Sequence, residues 1–105
     1  MNEIFENQYS AASMCMKLYP YALAVKELPF IDDKTKLDRV TKLVINTLTR
    51  ARNESLKVDK KASISEKKLI NYIEKFNSQK SLDGTISYLA NIINKAQGTD
   101  TKKGN

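Results

Sequence analysis

Histidine and tryptophan are absent from the 105 residues, and the lack of an imidazole removes whole classes of chemistry. There is no Ser-His or Cys-His nucleophile pair, no histidine metal ligand, and no side chain whose ordinary pKa lies near neutrality. A single cysteine, Cys15, cannot close an internal disulfide, and in an apolar run a lone thiol behaves as a small hydrophobe. That usage fits a cytoplasmic protein. With 3 glycines and 2 prolines, collagen-like, Gly/Pro-rich disordered and turn-dense all-β readings are disfavoured. Long apolar runs are also missing. The longest, Ala11 to Val25, is interrupted by Ser13, Lys17 and Pro20 and is too short for about 30 Å of hydrocarbon, so no membrane span is expected. Ala22-Leu23-Ala24 has the small-residue spacing of a signal-peptidase site, but Glu3 and Glu6 stand where a secretory leader is positive.

What is present is helical periodicity. Leu82, Ile86, Leu89, Ile93 and Ala96 make one stripe of a helix that Ser81 caps and Gly98 ends. Ser63-Ile64-Ser65-Glu66 has capping-box spacing, with Leu69, Ile73 and Phe76 following on one face. Asp32 or Asp33 opens a segment in which Leu37, Val40, Val44, Leu48 and Ala51 recur, fading near Asn53. The first segment carries two stripes. One runs through Phe5, Tyr9, Ala12, Met16, Tyr19 and Leu23, the other through Ile4, Ala11, Cys15, Leu18, Ala22 and Val25. Such a helix is expected at the centre of its bundle, kinked at Pro20 or broken there into two. Short links favour antiparallel neighbours, so the expected fold is all-α, an antiparallel up-and-down bundle of four helices. One domain is expected over residues 1–98, with 99–105 a flexible polar tail.

Charge is unevenly spread. Residues 1–33 hold two basic and five acidic side chains, whereas residues 34–105 hold sixteen and seven, so the net +6 divides into −3 and +9. On the second helix Arg39, Lys42, Asn46, Arg50 and Asn53 recur opposite the apolar stripe, and Lys57, Lys60 and Lys61 continue the charge. A row of cations can meet successive phosphates, each contact releasing condensed counterions. The same residues also serve as the solvated face any half-buried helix needs. No zinc-finger, basic-zipper or helix-turn-helix pattern accompanies them, so backbone contact with little sequence discrimination is the expected mode. Tyr72, near Lys68 and Lys75, can stack on unpaired bases.

Other clusters are weaker. Asp32-Asp33 and the Glu3/Glu6 pair lack the further oxygen ligands a hard cation needs, and helix capping accounts for them, so neither metal nor cofactor is expected. Lys17 stands alone in the apolar first helix, where a long stem lets its ammonium reach water. Tyr9, Tyr19 and Tyr21 with Met14 and Met16 are the composition of a contact surface or of ordinary core, and they offer a route to a homo-oligomer through the first helix. Tyr21 and Tyr72 are the candidate protein-interface residues.

Two resemblances bear on function. In size, basic charge, helical build and polar tail the chain is similar to bacteriocin immunity proteins of lactic acid bacteria, which implies recognition of another protein through a bundle groove. Leu18-Tyr19-Pro20 resembles the end of the first helix in the basic four-helix-bundle accessory proteins of diversity-generating retroelements. Both imply a bacterial source. The leading expectation is a non-enzymatic binding protein whose Arg39, Lys42, Asn46, Arg50, Lys57, Lys60 and Lys61 hold an acidic partner, nucleic acid or protein, with nucleic acid favoured. The alternative is an immunity-like or adaptor protein.

Overall fold

The amphipathic segments become four helices in the computed structural model, which describes residues 8–59 and 62–97: α1 (Ala11–Lys26), α2 (Asp33–Asp59), α3 (Glu66–Asn77) and α4 (Leu82–Gln97), with no strand among the described residues. Each helix starts on a short oxygen-bearing side chain that accepts the N–H three residues on. Ser10 Oγ accepts from Ser13 at 3.1 Å, Asp32 Oδ1 from Thr35 at 2.8 Å, Ser65 Oγ from Lys68 at 3.1 Å, and Ser81 Oγ from Gly84 at 3.0 Å. These satisfy donors that no helical carbonyl can reach. The capping box expected at Ser63 is therefore displaced, because α3 begins one residue after Ser65. Ser63 instead joins three elements: its N–H donates to Ser55 Oγ (2.9 Å) and its hydroxyl donates to the Tyr9 carbonyl (2.7 Å).

α1 runs unbroken through Pro20, one helix rather than two. Its start at Ala11 is later than the periodicity suggested; Ile4, Phe5, the Gly98 stop and the 99–105 tail lie outside the described residues. Of its two stripes, the second supplies most of the core: Cys15, Leu18, Ala22 and Val25 are buried and Ala11 half-buried, while of the first only Ala12 is buried, Met16 and Tyr19 being half-buried and Leu23 exposed. The physical reason is that α1 packs closely on α4 and α2 alone, and two neighbours cover one arc. The central helix is α2, which packs against all three others through Val40, Val44, Leu48 and Ala51. On α4 the buried arc is turned toward Thr85 and Ile92, leaving Ile93 half-buried and Ala96 exposed. Thr85 is fully buried, and its hydroxyl donates to the Ser81 carbonyl (3.4 Å).

The corner between α1 and α2 carries two features the periodicity does not show. Lys36 is buried, and its ammonium donates to the Lys26 carbonyl at 2.6 Å, a cation placed on the negative end of α1. Phe30 is fully exposed and holds a φ of 66°, a left-handed conformation that costs an L-residue with a Cβ about 1–2 kcal/mol.

Two stability measurements test this packing. Leu48→Ala, emptying a fully buried position on the central helix, is expected to cost about 2–5 kcal/mol in urea unfolding. Phe30→Gly is expected to stabilise the fold by about 1 kcal/mol, because glycine accepts the positive φ and no buried contact is lost; a lower melting temperature in that variant would contradict the assigned corner.

Candidate functional site

With the apolar edge of α2 inward, its opposite side is fixed outward. At about 100° per residue, Asn46, Arg50 and Lys57 fall within roughly 20° of Arg39, and Lys42 and Asn53 lie beside them. All six are exposed. From Arg39 to Lys57 the row extends about 27 Å at 1.5 Å per residue. Lys42 pairs with Asp38 (3.2 Å) and Lys57 with Glu54 (3.3 Å), both pairs open to solvent and so of little energetic weight. Arg39 and Arg50 have no carboxylate partner among the described residues. Lys60 and Lys61 lie outside the described residues. Arg50 also borders a shallow groove with Tyr9, Lys17 and Glu54 where α1 meets α2.

The two tyrosines singled out as interface candidates sit apart. Tyr21 is 40% exposed on α1 and Leu23, about 200° round the helix from it, is 40% exposed, while Leu28 (38%) and Phe30 follow exposed at the corner, so apolar residues are open on both sides of this end of α1. Tyr72 is half-buried, packed against the core, and lines a cleft together with Tyr88 of α4. The Tyr88 ring lies 4.7 Å from that of Phe76, tilted by 52°. Lys68 and Asn91 also line the cleft, as do Lys95 and the first residues of α1. Sequence reasoning found Tyr72 and Lys68 but missed Tyr88, Asn91 and Lys95, which reach the cleft only through the placement of α4.

The ionisable groups of this interior are held neutral. Burial pushes the Cys15 thiol up to about 12 and raises both Tyr72 and Tyr88 above the usual phenol range. At the surface, Lys26 is raised by its 2.9 Å bridge to Asp83, which links the end of α1 to the first turn of α4. Asp32 is lowered by the hydrogen bonds from Thr35, the same contacts that cap α2. Among the described residues no three Asp, Glu, Cys or His side chains gather as a metal site, and no helix is long and apolar enough to cross a membrane. Comparison with known protein families, curated proteins and solved structures finds no match to this chain.

A thiol held neutral in the folded state sets the sign of a pH dependence. Between its ordinary 9.0 and about 12 the unfolded chain releases the Cys15 proton while the folded chain keeps it, so stability falls as pH rises above 9.0. The slope is on the order of 1.4 kcal/mol per pH unit, and Tyr72 and Tyr88 add to it with the same sign. Urea midpoints compared on either side of 9.0 should show this loss, Cys15→Ala should reduce it, and Cys15 should resist thiol reagents until the protein is unfolded.

Proposed function

We propose that the protein is a non-enzymatic helical-bundle binding protein that holds a polyanion along the outer face of α2, with nucleic acid the favoured partner. The observation that carries this reading is the alignment of Arg39, Lys42, Asn46, Arg50 and Lys57 on one exposed side, with Arg39 and Arg50 free of carboxylates among the described residues. A cation with no local anion gains most from a phosphate, and a straight row of about 27 Å matches several successive phosphates along a backbone. Asn46 and Asn53 supply neutral donors between the charges. Lys60 and Lys61 extend the row in sequence. The short connections at 27–32 and 78–81 favour an antiparallel up-and-down course, and the missing Pro20 N–H favours a bend in α1 that leaves α2 unobstructed.

A second reading rests on a separate observation, the exposed Tyr21, Leu23, Leu28 and Phe30. Exposed apolar side chains of this kind suit a protein partner, or a second copy of the chain, bound through the end of α1 and the corner after it.

Four phosphate contacts imply that affinity for a duplex falls on the order of 100-fold between 50 and 200 mM salt. Fluorescence anisotropy with a labelled oligonucleotide measures this, and Arg39→Glu with Arg50→Glu should abolish binding at low salt. Salt-independent binding, or an unchanged double variant, would refute the polyanion reading. If instead Tyr21→Ala abolishes capture of a protein partner while the charge reversals leave it intact, the second reading replaces it.

A further inference from the structure

The cleft between the start of α1, α3 and α4 belongs to no part of the α2 row. It is a half-open cleft of about 490 Å³, large enough to hold a small organic molecule against its wall. Its chemistry is lopsided. Lys68 and Lys95 bring two positive charges to it, and no Asp or Glu lines it. The hydroxyls of Tyr72 and Tyr88 and the amide of Asn91 have no hydrogen-bond partner among the described residues. Both phenols are protonated at neutral pH, three units below the ordinary phenol value of 10.0, so both can donate. Ile64 and Ile92, with the rings of the two tyrosines, supply apolar wall. The N-terminal end of α1 opens on the same rim and adds positive potential there.

Donors without acceptors, paired cations without a counter-ion, and aromatic surface beside them define a ligand by complement. A carboxylate neutralises one lysine and leaves the other, whereas a phosphomonoester near pH 7 carries close to two charges and three acceptor oxygens. The aromatic and aliphatic wall requires more than the bare ion, because apolar surface left wet on binding contributes nothing to affinity. We propose that this cleft binds a small phosphorylated molecule with an aromatic body. Its phosphate lies between Lys68 and Lys95, and its ring lies against Tyr72 and Tyr88. The small, exposed Ala96 leaves room beside them for the body.

The probe is adenosine monophosphate, titrated into the full chain by calorimetry with amide chemical-shift mapping. Saturable binding is expected, with shifts centred on Tyr72, Tyr88 and Asn91. Adenosine or inorganic phosphate alone should bind at least about tenfold more weakly, since each lacks half of the contacts. Lys68 and Lys95 are exposed, so Lys68→Ala with Lys95→Ala leaves the core intact and should weaken binding by about tenfold or more. Tyr72→Phe, which keeps the ring and removes the hydroxyl, should weaken it several-fold. Arg39→Glu with Arg50→Glu should leave it unchanged, so the cleft and the polyanion row are judged separately. Absence of saturable binding at about 10 mM, an undiminished affinity in the double lysine variant, or inorganic phosphate binding as tightly as the nucleotide would each overturn the proposal.

Discussion

Burial of one edge of α2 constrains everything else in the molecule. Val44 and Leu48 are fully covered, Val40 and Ala51 nearly so, and this edge meets all three other helices. An α-helix cannot twist one face independently of the other, so seating that edge sets where every polar residue of α2 points. A rotation by one residue, about 100°, would put Arg39 in the buried place of Val40 and lift Val44 and Leu48 into the half-covered places of Ile45 and Thr49; an unpaired buried guanidinium costs several kcal/mol, and the lost apolar burial adds to that. The outward row of cations is thus a consequence of the core, and its rigidity follows from the same contacts. Lys36 shows the exception the geometry permits. It lies at the edge of the buried arc, and its charge is met by the carbonyl end of α1 rather than by water.

How much of this is legible in the sequence depends on whether a feature belongs to one helix or to several. The spacing of Val40, Val44, Leu48 and Ala51 states its buried face without ambiguity, because the opposite side is polar throughout. The cation row is legible for the same reason. α1 is not, since both of its stripes are apolar and only the placement of α4 and α2 decides that Cys15, Leu18 and Ala22 go inside while Leu23 stays out. Ser63 misleads in another way: Ser-x-x-Glu spacing is a local signal, but its hydroxyl and N–H found partners on Tyr9 and Ser55, residues distant in sequence. Phe30 leaves no trace in the pattern at all. An aromatic after proline gives no hint of a positive φ, which the corner between α1 and α2 imposes.

The cleft shows the same division at the level of a site. Lys68 and Tyr72 stand one turn apart on α3 and can be paired by counting. Tyr88, Asn91 and Lys95 lie on α4, and no periodicity relates a residue of one helix to its neighbour across a gap. What creates the gap is packing. α3 packs on α2, and it makes little direct contact with α4 beyond the Phe76–Tyr88 ring pair. Ile64 just before α3 and Phe76 near its end are buried, while Leu69 and Tyr72 between them are only half-covered. The helix is therefore pinned at both ends and stands off α4 along its middle.

A domain shaped by stability alone would close that space. Larger apolar side chains at positions 12 and 96 would fill it and cover the exposed parts of Tyr72 and Tyr88, each added methylene contributing about 0.8 kcal/mol. The chain instead has alanine at both positions and lysines at the rim, whose charges keep the mouth hydrated. Like charges at the mouth oppose closure and add nothing to the core. Near neutral pH the two phenols are uncharged, so the wall of the cleft carries no charge of its own and the potential inside it comes from the two lysines and the end of α1. That separation of a neutral wall from a cationic rim is what gives the cleft a preferred orientation for an anionic guest.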